Sequence, residues 1–399
     1  MKFSSLTDRI AADGADAWAV HYEGLARREA GEDILILSVG QESDESTPRH
    51  IVDRAIESLQ SGRHHYTPVN GLPELRQAIV ENHEKLTGQT VHMDQCAVFA
   101  GAQNALFAVA QCLLEHGDEV ILIEPYYTTY PAAFTAAGAN AVSVPAKAED
   151  GFCIDPRAIQ AQINERTRAI VLNSPNNPVG AVYSREQYQA VIELCRANDI
   201  WLISDEVYLE MLPPEDRISP AGLPGADSVC VTVSSLSKSH RMTGWRLGWV
   251  IGPKALLGHL KNLSMCMCYG LSPFIMDAGI AALKSDIDVA KRVRETLGRR
   301  RDIVVDTVSS VDGLQVFSAS GGMFVVLDIR RLEMAGQDFA WELLNRYQVC
   351  VLPCDGFGQS GKGLLRLSLC ISDEKIRTAC HRIVEFAETI IQKKGSTEP

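Results

Sequence analysis

Apolar residues recur along this chain in two alternating rhythms. Between 72 and 86 they fall at Leu75, Ile79, Val80 and Leu86, one face of a helix that Gly88 closes. A second such stripe covers 103–114 and stops at Gly117. The spacing then tightens into short continuous apolar runs, 120–123 and 169–172, of the length of buried strands. Ser184-Arg185-Glu186-Gln187 spells a capping box, in which serine and glutamine satisfy each other's orphan amides, and predicts a helix from there through Cys195. Further strands are predicted at 200–203, 229–233 and 247–251. Apolar strands separated by amphipathic helices predict an α/β fold, with a mostly parallel sheet covered on both faces.

From about 290 the rhythm changes. A long charged helix over 289–308 leads to strands at 323–327 and 364–368, and a helix over 373–392 follows. This predicts a smaller α+β domain formed by 1–45 and 291–399 beside a large domain over 46–290. The segment 393–399 reads as disordered.

Composition narrows the function classes. At 399 residues the chain exceeds one small core, and 46% hydrophobic against 22% charged residues excludes disorder for its bulk. A net charge of −12 argues against nucleic acid as a partner, since phosphate contacts need a concentrated basic face. No run of about 18 apolar residues predicts a membrane span. The first residues lack the apolar stretch of a secretory signal, and a cytoplasmic location is expected. The eleven cysteines include no Cys-x-x-Cys, and most lie in apolar runs as small hydrophobes, so neither a disulfide framework nor a metal is expected.

Gly356-Phe357-Gly358-Gln359-Ser360-Gly361 fits the pattern of a dinucleotide or phosphate loop. Both uses need a following helix whose first amides hold the phosphate. Here a strand follows and Gly363 replaces the hydroxyl residue of a P-loop, so a plain loop is predicted.

The chemistry concentrates elsewhere. In Ser234-Ser235-Leu236-Ser237-Lys238-Ser239-His240-Arg241-Met242-Thr243-Gly244-Trp245-Arg246 a polar stretch lies between two apolar strands, at a strand end. A lysine desolvated there can form a Schiff base, while serines and an arginine suit a phosphate. Asp205 follows the strand at 200–203 at its carboxyl end, where ligands of open α/β sheets bind. It is a turn aspartate or, read with Lys238, a carboxylate that keeps a pyridine nitrogen protonated. Tyr208 and Asn177, the latter in Asn173-Ser174-Pro175-Asn176-Asn177-Pro178-Val179-Gly180, could hydrogen-bond a ring hydroxyl.

Asn-x-Pro-x-Asn-Pro-x-Gly, then Asp-x-x-Tyr, then Ser-x-Ser-Lys with arginine eight residues later resembles the class I/II aminotransferases, along essentially the whole chain. The resemblance implies fold type I, with a seven-stranded, mostly parallel large sheet, and pyridoxal 5′-phosphate (PLP) as cofactor. Lys238 would carry the cofactor and shuttle the substrate proton. Asp205 would pair with the pyridine nitrogen, and Asn177 and Tyr208 with the ring hydroxyl. Ser235, Arg246 and the amides of Ala102 and Gln103 would hold the phosphate, while Tyr127 stacks on the ring. Tyr66, in His65-Tyr66-Thr67-Pro68-Val69-Asn70-Gly71, would reach the phosphate of a neighbouring subunit, implying a homodimer with shared sites. Gly40, Asn177 and Arg366 would bind the substrate carboxylate. The alternative for Arg366, alone on an apolar strand, is a permanent protein salt bridge.

Ala17-Trp18 with His21-Tyr22, the 237–240 segment and Cys266-Met267-Cys268-Tyr269-Gly270 resemble members that use arginine and pyruvate. The implied reaction is amino transfer from an amino acid, arginine or else an aromatic or neutral one, to a 2-oxo acid. A C–S β-lyase on the same fold is the nearest rival, and a ligand-sensing regulator a more distant one. One segment departs from the family: Gly40-Gln41-Glu42-Ser43-Asp44-Glu45-Ser46-Thr47-Pro48 lacks the usual proline and phenylalanine and is acidic. Those charges suit a guanidinium-bearing substrate or, as the bland reading has it, water.

Overall fold

A computed structural model describes residues 1–11, 17–43, 45–317 and 321–395. Its largest sheet has seven strands, in spatial order Cys96–Phe99, Gly248–Ile251, Cys230–Ser235, Trp201–Asp205, Thr167–Asn173, Glu119–Glu124 and Asn140–Pro145. Only Gly248–Ile251 runs against its neighbours. Phe99, Glu124, Asn173, Asp205 and Ser235 therefore end their strands on one edge of the sheet. The apolar runs bury both faces by simple alternation. Ile121, Ile123, Ile170, Leu172 and Leu202 join one core, and Val120, Leu122, Ala169, Val171 and Ile203 the other.

A second, antiparallel sheet has the order Leu352–Pro353, Leu364–Ser368, Phe324–Asp328 and Gln315–Phe317. Val325, Leu327, Leu365 and Leu367 pack with the helices Val289–Val308 and Asp373–Gly395. Leu35 and Ile36 join that core through a short parallel pairing with Val349 and Cys350. On the opposite face Val326 and Leu364 pack into a core of the large sheet. Arg366 stands across from Val326 in the register, so it too faces the large sheet.

The capping box is formed as predicted, with both reciprocal bonds, and opens the helix Arg185–Asn198. Asp205 is the last residue of its strand rather than the first beyond it. Lys393, Lys394 and Gly395, expected to be disordered, continue the last helix, and the Lys394 amine reaches Glu333 at 2.7 Å. Residues 396–399 of that expectation lie outside the described residues. The glycine-rich segment at 356–361 forms two short 3-10 turns between strands. Gly358, at φ 104°, leaves room for Glu124, which accepts bonds from the Ser360 amide and hydroxyl. Among the described residues no helix is long and apolar enough to cross a membrane.

Candidate active site

A cavity of about 200 Å³ opens at the carboxyl edge of the large sheet, against the second sheet. Gly40, Ala102, Gln103, Tyr127, Asn177, Asp205, Tyr208, Ser235, Lys238, Arg246 and Arg366 all line it. Tyr66 does not. It is 88% exposed and packs edge-on against Tyr269 in a separate recess.

Lys238 lies three residues beyond the end of the strand Cys230–Ser235, and its amine donates to the Gly40 carbonyl at 2.9 Å. Burial lowers this amine to about 8; Arg366 and Arg246 push the same way, and Cys370 and Asp205 oppose. Asp205 is pushed up to about 6 by burial, against the hydrogen bonds it accepts. The Tyr130 hydroxyl donates to its Oδ2 at 2.6 Å and the Val207 amide to its Oδ1 at 3.3 Å. Asn173 joins two segments: its Nδ2 donates to the Asp205 carbonyl at 3.0 Å, and its Oδ1 accepts the Asn177 amide at 2.8 Å.

Arg366 is 1% exposed. Its Nη1 donates to Asn177 Oδ1 at 3.0 Å and its Nη2 to the Ser38 carbonyl at 2.5 Å, while its buried Nε has no partner. The guanidinium lies 4.1 Å from the centre of the Phe324 ring and 5.8 Å from that of Trp18. Among the described residues no carboxylate neutralises it, and burial lowers its pKa. The permanent salt bridge is therefore absent, and a buried bidentate cation with an unused N–H points to a carboxylate ligand.

At the other end of the cavity the helix Ala102–Leu113 starts behind Gly101, which sits at φ 86° and supplies no capping side chain. A Cβ at Gly101 would meet the Arg246 guanidinium, and one at Gly248 would lie 2.6 Å from the Ala102 nitrogen. Two glycines thus let a helix N-terminus, an arginine and Ser235 converge, the donor set of a phosphate cradle. Tyr127 stands between the two ends, perpendicular to Tyr130 at 5.7 Å. A buried amine, an isolated buried carboxyl and an oxyanion cradle within one cavity fit PLP.

The acidic segment divides: Glu42 is buried, while Glu45 stays half exposed to water. Glu42 forms a buried pair with Arg300 at 2.8 Å, and Glu45 pairs with Arg241 at 2.5 Å. Asp44 lies outside the described residues. Sequence reasoning gave no role to Tyr130, Asn173, Ser38, Trp18 or Phe324. Tyr130 is 75 positions from Asp205, and only the sheet brings them together.

The family model for aminotransferase class I and II matches residues 32–383. Arginine–pyruvate transaminase of Pseudomonas aeruginosa is 49% identical over 391 residues, spanning 98% of this chain and 99% of that protein. An aspartate aminotransferase of Pyrococcus horikoshii is 33% identical over 92% of this chain and 94% of its own length. The solved structure of Thermus thermophilus aspartate aminotransferase with maleate superposes with a TM-score of 0.91 at 32% identity, covering 96% and 99% of the two chains.

Proposed function

The chain belongs to the aminotransferases of class I and II, PLP-dependent enzymes that pass an amino group to a 2-oxo acid, and we propose that its donor is arginine and its acceptor pyruvate. The similarity to the Pseudomonas aeruginosa enzyme carries the donor assignment. A second cavity of about 670 Å³, which shares Ser237, Lys238 and Thr243 with the first, supports it. Ile56, Trp245 and Phe274 line its walls, with Glu45 among the lining residues. Its apolar walls suit a long aliphatic stem, while Glu45 there is already paired with Arg241 of the same cavity.

In this reading Arg366 takes the substrate α-carboxylate in two parallel hydrogen bonds, with Gly40 and Asn177 beside it. That fixes Cα near the Lys238 amine. With its affinity for protons lowered to about 8, the amine is partly neutral near pH 7.5 and accepts the Cα proton. Bound PLP supplies the electron sink that makes this proton acidic. Asp205 holds the proton on the ring nitrogen, Asn177 and Tyr208 bind the ring hydroxyl, and Tyr127 covers the ring face. Ser235, Arg246 and the amides of Ala102 and Gln103 hold the phosphate. Tyr66 of a second copy completes the phosphate site, and the working unit is a homodimer.

Adding single amino acids to the PLP-loaded protein, without acceptor, tests the donor. Arginine is expected to bleach the visible cofactor band and pyruvate to restore it. If only aromatic or neutral amino acids do so, arginine is not the donor. Sedimentation equilibrium is expected to give twice the chain mass, and a fully active monomer would overturn the shared site.

Tyr130→Phe removes a hydrogen bond that holds the Asp205 carboxyl down, so that group rises further. The acid limb of kcat/KM is expected to move to higher pH, with a loss at pH 7 of about tenfold. An unshifted pH profile would show that Tyr130 does not tune Asp205.

A further inference from the structure

The Arg366 guanidinium is held by two acceptors, Asn177 Oδ1 and the Ser38 carbonyl. Ser38 is itself fully buried and stands just beyond the short strand Leu35–Ile36. Its hydroxyl lies 2.7 Å from Nδ1 of His21, in the first turn of the helix Ala19–Glu29. Trp18, the N-cap of that helix, precedes His21 by three positions and lies on the same side. The two rings meet edge-on at 5.3 Å, and Trp18 also faces the Arg366 guanidinium. One histidine thus touches both groups through which this helix reaches the carboxylate anchor.

The helix can lie so close because Gly24 has no side chain: a Cβ there would meet Cys350 Sγ at 2.9 Å. His21 is 8% exposed, and burial lowers its affinity for protons, with Arg366 and Arg28 pushing the same way. A neutral imidazole suits the position, since an imidazolium would put a second positive charge beside the buried guanidinium. Among the described residues the other side chain bonded to the Ser38 hydroxyl is the Cys350 thiol, a weak donor at 3.5 Å. Without His21 the hydroxyl keeps only that thiol, and the residue whose carbonyl holds Arg366 loses its tether.

We propose that His21 is a positioning residue for both half-reactions: through Ser38 it sets the Arg366 guanidinium at the angle that receives a carboxylate in two hydrogen bonds. Donor and acceptor share that anchor, so both depend on a side chain that does not line the cavity. The inference rests on the reading of Arg366 as the carboxylate anchor and not on which amino acid is the donor.

Steady-state kinetics of the PLP-loaded protein test it, with pyruvate as acceptor and the amino acid that bleaches the cofactor band as donor. His21→Phe keeps a ring against Trp18 and removes the hydrogen bond. It is expected to raise KM for both substrates about five- to tenfold, with kcat within about twofold of native. His21→Asn, whose amide can bond Ser38 again, is expected to restore KM to within about twofold. In an Arg366→Met background His21→Phe is expected to change kcat/KM no further, because the group it positions is gone. Should His21→Phe fail to fold, Ser38→Ala breaks the same bond and carries the same expectations. Native KM in the folded variants while Arg366→Met raises it, or an equal loss in the Arg366→Met background, overturns the role of His21 and leaves the anchor standing. Native kcat/KM in Arg366→Met overturns the anchor, and this inference with it.

Discussion

Lys238→Ala is expected to lower kcat for amino transfer by at least about a thousandfold while leaving the fold and PLP binding in place. Of the residues lining the first cavity Lys238 is the sole amine. The remaining titratable groups cannot replace it. Burial holds Tyr127 and Tyr208 protonated well above neutral pH, and the Asp205 carboxyl is engaged by Tyr130 and Val207. A guanidinium, as at Arg246 and Arg366, is a donor with no free pair to take the proton. Lys238→Arg separates charge from proton transfer, since a guanidinium keeps the positive charge but cannot take the proton, and it is expected to fail equally. Single-turnover absorbance with arginine, measured beside the melting temperature, checks both variants. Either one retaining more than about a tenth of native kcat would remove Lys238 from the reaction.

Five of the seven strands of the large sheet were legible because their signal is local, whereas the edge strands Cys96–Phe99 and Asn140–Pro145 were not read. Continuous apolar runs between amphipathic helices leave few alternatives, and the edge that carries Asn173, Asp205 and Ser235 follows from parallel pairing. That Lys238, Asp205, Asn177 and Arg366 line one cavity was expected for another reason: a multipart motif fixes many residues at once, although Tyr66 of the same resemblance lies outside that cavity. What could not be read was who meets whom across long separations. Nothing near Ser38 in sequence announces that its carbonyl receives a guanidinium 328 positions away. Nor does the acidic segment at 41–46 announce Arg300 and Arg241 as counter-ions, and local charge density suggested water instead. Strand ends were misplaced by up to two residues, because polar residues such as Ser204 and Asp205 extend a strand that hydropathy alone stops at 203.

Arg366→Met is expected to separate stability from function. Among the described residues the buried guanidinium meets only neutral acceptors, and its Nε has no partner. Among the described residues no carboxylate offsets its desolvation, so a shape-filling apolar side chain costs little or stabilises. Contact with the Phe324 ring opposes this, but such an interaction contributes about 1–2 kcal/mol. The melting temperature without substrate is therefore expected to hold or rise. Catalysis is expected to behave in the opposite way. Losing a buried bidentate anchor for a carboxylate costs about 3–4 kcal/mol, so kcat/KM falls roughly 10²- to 10³-fold for donor and acceptor alike. Pyruvate, which raises the melting temperature of a protein that binds it, is expected to lose that effect in the variant. The opposite pairing, a collapsed melting temperature with near-native kcat/KM in the surviving folded fraction, would make Arg366 a structural cation and leave the substrate carboxylate without its anchor.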